Sequence, residues 1–173
     1  RERYKHMLKN VKEELNRFAK YVISQSRANL TRGKKNSSKQ LYNSLDSNVE
    51  VSKNSFELSF LMEDYGVYQD KGVSGVKKKY NTKFAYTNKM PPPAKLDKWI
   101  VKKGIAPRGK DGKFISRKSL QFMIARSIFN NGIKPSLFFT KPFEKAFKNI
   151  DKDLVKAYKL DIESLMNNSI NNK

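Results

Sequence analysis

The chain has no cysteine and a single histidine, His6. Disulfides, iron–sulfur ligation, cysteine-based zinc clusters and thiol chemistry are thereby excluded together. No apolar run approaches the ~18–20 residues that a membrane helix needs, because Lys or Asp interrupts every candidate stretch. A soluble chain with no membrane partner is expected. Acidic residues are scarce too, with 16 Asp and Glu against 37 Lys and Arg. The densest acidic group, Glu63-Asp64 with Asp70, flanks Tyr65 along one stretch of chain. A Mg²⁺-dependent nuclease needs carboxylates converging from several elements, so turn or rim charges are the better reading. His6 has no Ser-His-Asp, metal or phosphate-loop spacing around it. The expectation is a protein that is not an enzyme and takes no metal or cofactor.

What is present is enough for a core. The 173 residues are 38% hydrophobic and 12% aromatic, with 11 Phe and 8 Tyr, which is too apolar for a disordered chain and suits one domain of ordinary size. The net charge of +21 draws nucleic acid, anionic membrane or acidic protein surfaces without choosing among them. Lysines number 29 and arginines 8. Bidentate reading of base edges favours Arg, so sequence-specific DNA recognition is disfavoured. Lysine with 16 Asn also fits coding from an AT-rich genome. The charge is unevenly spread: residues 71–118 hold 15 basic residues, with only Asp97 and Asp111 as acids.

Periodicity orders the chain. Tyr4, Met7, Leu8, Val11, Leu15, Phe18, Val22 and Ile23 recur every three or four residues, predicting a helix to about Leu30. Thr31–Ser38 reads as an exposed loop. The period then becomes two at Val49 and Val51, and again at Phe56, Leu58, Phe60 and Met62. A β-hairpin turning at Lys53-Asn54-Ser55 follows. Tyr65, Val67 and Tyr68 predict a third strand ending at Gly72. Met90-Pro91-Pro92-Pro93 stiffens the chain before a short helix carrying Leu96, Trp99 and Ile100, stopped by Gly104. Lys110-Asp111-Gly112-Lys113 is a tight-turn signal. Ser116 is a good N-cap for a helix with Leu120, Met123, Ile124 and Ile128, ending at Asn131-Gly132. Thr140 and Pro142 open a last helix carrying Phe143, Phe147, Ile150, Leu154, Tyr158, Ile162 and Leu165. The predicted fold is α+β: a small antiparallel sheet packed by a long N-terminal helix and C-terminal helices. It forms one domain, 1–173, with a basic insertion at 73–116.

Lys77-Lys78-Lys79 with Tyr80, Phe84 and Tyr86 has the mix of bases and rings that single-strand binders use. The same mix describes an arm docked on an acidic neighbour. Two further stretches, in this order, carry a resemblance. Tyr65-Gly66-Val67-Tyr68-Gln69-Asp70-Lys71-Gly72 resembles the tyrosine-rich strand and glycine turn of tail-completion and neck proteins of tailed bacteriophages. Ile133-Lys134-Pro135-Ser136-Leu137-Phe138-Phe139-Thr140-Lys141-Pro142-Phe143 resembles the same family's aromatic-proline entry to its final helix. The block from Trp99 to Phe143 is also similar to neck or tail proteins of crAss-like phages.

The resemblance implies a virion protein, made in the host cytoplasm, that forms a homo-oligomeric ring at the head–tail junction. Such a ring joins portal or adaptor proteins to tail proteins. On physical grounds, Tyr65, Tyr68, Trp99, Phe138, Phe139 and Phe143 are expected as packing or interface anchors, and Lys77, Lys78, Lys79, Lys102, Lys103 and Arg108 as the charged contact. The long basic insertion departs from compact members of that family. Six to twelve copies would sum to on the order of +130 to +250, so acidic partners are required and most of residues 77–118 are expected to face outward or against acidic virion proteins. The competing expectation is a sequence-independent nucleic-acid binder, including non-specific contact with genomic DNA, that uses the same lysines on phosphates.

Overall fold

The computed structural model describes residues 8–52 and 55–171. His6, Tyr4, Met7 and the Lys53-Asn54 turn lie outside the described residues. The fold is α+β. In chain order it has helices α1 (Lys9–Arg32) and α2 (Gln40–Ser44), strands β1 (Asp46–Val51) and β2 (Phe56–Leu61), and helix α3 (Tyr65–Lys71). A 3₁₀ turn at Pro93–Leu96 leads into α4 (Asp97–Lys102), and α5 (Arg117–Asn131) and α6 (Thr140–Asn171) follow. The chain divides into two compact units. One comprises the residues to Arg32, Gln40–Glu63 and those from Phe138. The other comprises Gly33–Lys39 and Asp64–Leu137, and so extends on both sides of the basic stretch 73–116.

The first unit is built on a helix pair. The α1 residues Val11, Leu15, Phe18, Val22, Ser26 and Leu30 are buried at steps of three or four, which keeps them on one face. Opposite them α6 presents Phe143, Ala146, Ile150, Leu154 and Ala157. The two helices run antiparallel: Val11 packs near Ala157, Phe18 near Ile150, and Leu30 near Phe138 at the entry to α6. The register is pinned at one end by a carboxylate. Asp161, buried, accepts hydrogen bonds from the backbone N–H groups of Asn10 (3.0 Å) and Val11 (3.0 Å) and from the Asn10 side-chain amide (2.8 Å). These are amides of the first turn of α1, which have no partner within the helix. A negative charge there also complements the helix dipole.

The hairpin lays its inner side chains on this pair. The strands are antiparallel with Val49 opposite Leu58 and Ser47 opposite Phe60, and Leu58 and Phe60 reach the cluster around Phe18, Val22 and Ile150. Phe60 sits edge-on to Phe18, Phe139 and Phe143 at ring separations of 6.3, 5.1 and 6.0 Å. On the outer side Glu50 stands directly opposite Glu57. The short α2 was not legible as a helix because it has one buried residue of its own, Leu41. It is held by Arg27, which donates to the carbonyls of Tyr42 (3.1 Å) and Leu45 (2.9 Å) with its guanidinium 5.2 Å from the Tyr42 ring.

The predicted third strand is a helix. In α3 the residues turned inward are Gly66 and Asp70, a helical i, i+4 pair with no hydrophobic side chain, while Tyr65, Val67 and Tyr68 are exposed. Hydropathy therefore misreports the periodicity. The other expected elements are present. Ser116 accepts from the Ser119 N–H at 3.2 Å as the N-cap of α5, and Gly132 ends it. The turn at 110–113 closes a single antiparallel bridge between Arg108 and Phe114. Among the described residues no helix is long and apolar enough to cross a membrane.

Substituting Asp161 by Ala strands three donors at the start of α1. It is expected to lower unfolding stability by about 2–3 kcal/mol, since each hydrogen bond to a charged group contributes more than a neutral one. Asp161→Asn should recover part of this in a urea melt. Equal melts for wild type and Asp161→Ala would refute the capping role.

Candidate interaction surface

Charge separates the two units. The stretches forming the second unit hold 20 Lys and Arg against 4 Asp and Glu, and those of the first hold 17 against 12. Four carboxylates cannot neutralise twenty cations, so a surplus of sixteen remains in the second unit whatever the pairing. Two of its ion pairs are loose: Lys71–Asp70 at 4.0 Å and Arg117–Asp97 at 3.7 Å.

Backbone hydrogen bonds frame this unit. Val73 and Ile133 exchange both of their backbone bonds, at 2.9 and 2.8 Å. The Ser136 N–H and hydroxyl both donate to the Gln69 carbonyl (3.2 and 2.6 Å), and the Leu137 N–H donates to that of Asp70 (3.0 Å). The stretch Tyr65–Gly72 thus meets the first half of Ile133–Phe143. Gly132 permits this approach. Its φ is +71°, and a Cβ there would strike the Val73 carbonyl; both facts require glycine.

The same contact presents Lys77, Lys78 and Lys79. The N–H groups of Val76, Lys77 and Lys78 donate to carbonyls of Phe129 and Asn130 at the C-terminal end of α5 (2.9–3.1 Å), so they satisfy groups the helix leaves open and set lysines where its dipole is negative. Ser74, buried, closes the base of the loop: its hydroxyl donates to the Tyr80 carbonyl (3.1 Å) and accepts from the Tyr80 N–H (3.0 Å). All three lysines are exposed.

Beside the loop lies an open cleft of about 640 Å³, lined by Tyr65, Tyr68, Gln69, Val73, Lys83, Phe84, Ala85, Tyr86 and Ile133. Tyr68 and Phe84 meet edge to face at 4.7 Å. The Lys83 ammonium sits 5.3 Å from the Phe84 ring centre, and Lys78 lies 5.7 Å from that of Tyr80. Tyr86 leans on Phe129 at 6.3 Å, and burial pushes its phenol above the usual value of 10.0.

Trp99, Lys102, Lys103 and Arg108 do not line the cleft. Trp99 is 40% exposed on α4, which is tied to α5 by the Gln121 amide donating to Asp97 (2.7 Å). Lys103 donates to the Lys34 carbonyl (3.3 Å), and Arg108 lies over the Phe114 ring at 4.2 Å. Of the six expected anchors, Phe138 is 1% exposed and packs with Leu30, Leu41 and Leu45 in the first unit. Phe139 and Phe143 join the same unit's aromatic cluster. These three serve packing. Tyr65, Tyr68 and Trp99 are exposed.

Sequence reading missed Lys83 and Ala85. Their signal was the alternation Lys83-Phe84-Ala85-Tyr86, a period of two read only as scattered aromatics. Among the described residues no three His, Cys, Asp or Glu side chains converge as for a metal ion. No family model, curated protein or solved structure matches the chain.

Two measurements check this description. Gly132→Ala should destabilise by about 2–4 kcal/mol through strain and collision together. Gly104→Ala, where φ is also positive (+62°) but nothing lies within 4 Å of the added carbon, should lose about 1–2 kcal/mol. For Tyr86, a raised folded pKa means the neutral phenol is favoured by folding. That stability is complete below the unfolded value and lost as pH rises through the folded one. An ultraviolet titration should therefore show one tyrosine ionising later than an ordinary one, absent in Tyr86→Phe; superimposable curves would refute it.

Proposed function

We propose that the chain is a structural subunit of a tailed-bacteriophage virion, closing into a ring at the head–tail junction and joining portal-side proteins to the tail. The carrying observation is that the two stretches resembling neck and tail-completion proteins, some sixty residues apart in sequence, pack against each other around Gly72, Val73 and Ile133. The helical form of Tyr65–Lys71 departs from the strand in the resemblance, while Gly72 still ends the segment. A ring also needs apolar surface for self-association. On α6 Phe147, Val155, Tyr158, Ile162 and Met166 are exposed, and their spacing puts them on one stripe beside the packed face. The basic unit then supplies contact to acidic virion neighbours.

The surplus of cations in the second unit favours one other reading, a sequence-independent nucleic-acid binder. Light scattering at about 0.1 M and about 1 M salt, with and without double-stranded DNA, separates them, because screening weakens phosphate contacts but not apolar ones. The ring reading expects a mass several times the 20.1 kDa of one chain at both salts, returned to the monomer by Val155→Glu with Ile162→Glu. A monomer that captures DNA only at low salt would transfer the conclusion to the second reading. A monomer indifferent to DNA would sink both.

A further inference from the structure

The cleft of the second unit combines three things that a peptide groove needs, and no other feature of the unit combines them. The first is an open strand edge. The segment around Ala85 lies parallel to Ser74: the Ser74 N–H donates to the Phe84 carbonyl (2.8 Å) and the Tyr86 N–H to the Ser74 carbonyl (2.9 Å). In that pattern the N–H and C=O of the intervening residue point the opposite way. Ala85 is exposed, so its donor and acceptor face outward along the cleft. The second is a side-chain pocket at the same place, walled by Tyr65, Tyr68, Phe84 and Tyr86. The third is charge: Lys83 lines the cleft, the triplet Lys77–Lys79 adjoins it through Ser74, and the unit has a surplus of sixteen cations.

We propose that this cleft is a docking groove for an extended acidic segment of a partner protein. The segment adds as a strand along Ala85, seats an aromatic or branched apolar side chain among the tyrosines, and places Asp or Glu on the lysines. Main-chain bonds to an open edge give such grooves affinity, and the pocket for alternate side chains gives them selectivity. A single-stranded nucleic acid shares the charge but not the fit. Stacking needs free ring faces, whereas within the cleft Lys83 lies over Phe84, and the edge of one ring of the Tyr68–Phe84 pair meets the face of the other. The inference does not depend on ring formation.

The test uses a displayed library of random twelve-residue segments selected on the full chain at physiological salt. Enriched segments are expected to carry apolar residues at alternate positions flanked by Asp or Glu. A synthetic copy should bind saturably and lose affinity at least about five-fold with Lys83→Glu and with Tyr68→Ala. Lys83 is exposed, so Lys83→Glu should leave the circular-dichroism melt in place and keep the test valid if Tyr68→Ala unfolds the unit. An oligo-dT of the same length should not displace the peptide. Failure to enrich any segment overturns the proposal. So do enriched segments without alternation, binding indifferent to both substitutions, or displacement by oligo-dT. None of these outcomes bears on the oligomer mass that tests the ring.

Discussion

Electrostatic repulsion within the second unit constrains how that unit is built. Twenty cations and four carboxylates share 81 residues, and at physiological ionic strength charges within ~8–10 Å still feel one another. Hydrophobic burial there is thin: Val73, Ile100, Leu120 and Ala125 are its buried apolar side chains among the described residues. Backbone hydrogen bonds take up the load. Val73 with Ile133, Val76 to Lys78 with the end of α5, and Gln69 and Asp70 with Ser136 and Leu137 hold the unit by bonds that do not require the lysines to approach. Side-chain hydroxyls, Ser74 and Thr82, stitch the loops between them. The charged surface is thus kept at its periphery, available to an anionic neighbour.

The first unit solves the opposite problem. Its stretches are closer to neutral and its core is deep, with Phe138, Leu30 and Val22 almost wholly buried. Aromatic edge-to-face contacts among Phe18, Phe60, Phe139 and Phe143 add specificity of packing beyond area burial. The buried carboxylate of Asp161 then ties α6 to the start of α1. One unit is thus deeply packed, while the other carries an open, lysine-lined cleft.

Much of this was legible in the sequence. The long helices were readable from three-and-four spacing, the hairpin from alternation at Val49, Val51, Leu58 and Phe60, and the bounds of α5 from Ser116 and Gly132, because in each case hydropathy and geometry agree. Where they part, reading failed. The buried face of α3 is Gly66 and Asp70, so the tyrosines that looked like a strand's inner face point outward. Asp161 drew no reading, since nothing local shows that its partner lies 150 residues earlier. Of the cleft, the aromatics were visible, as was the lysine triplet on the loop beside it, but Ala85 has no side-chain chemistry to betray an edge that exists only through its backbone.

The hairpin's outer face has a quieter consequence. A two-stranded sheet leaves both edges unpaired, and such edges invite stacking of one chain on the next. Here Glu50 stands opposite Glu57, a pairing that costs some local stability. In any in-register stack of hairpins these carboxylates would align at a spacing of ~5 Å with no cation between them. Like charges placed in this way would disfavour fibrous stacking of the hairpins.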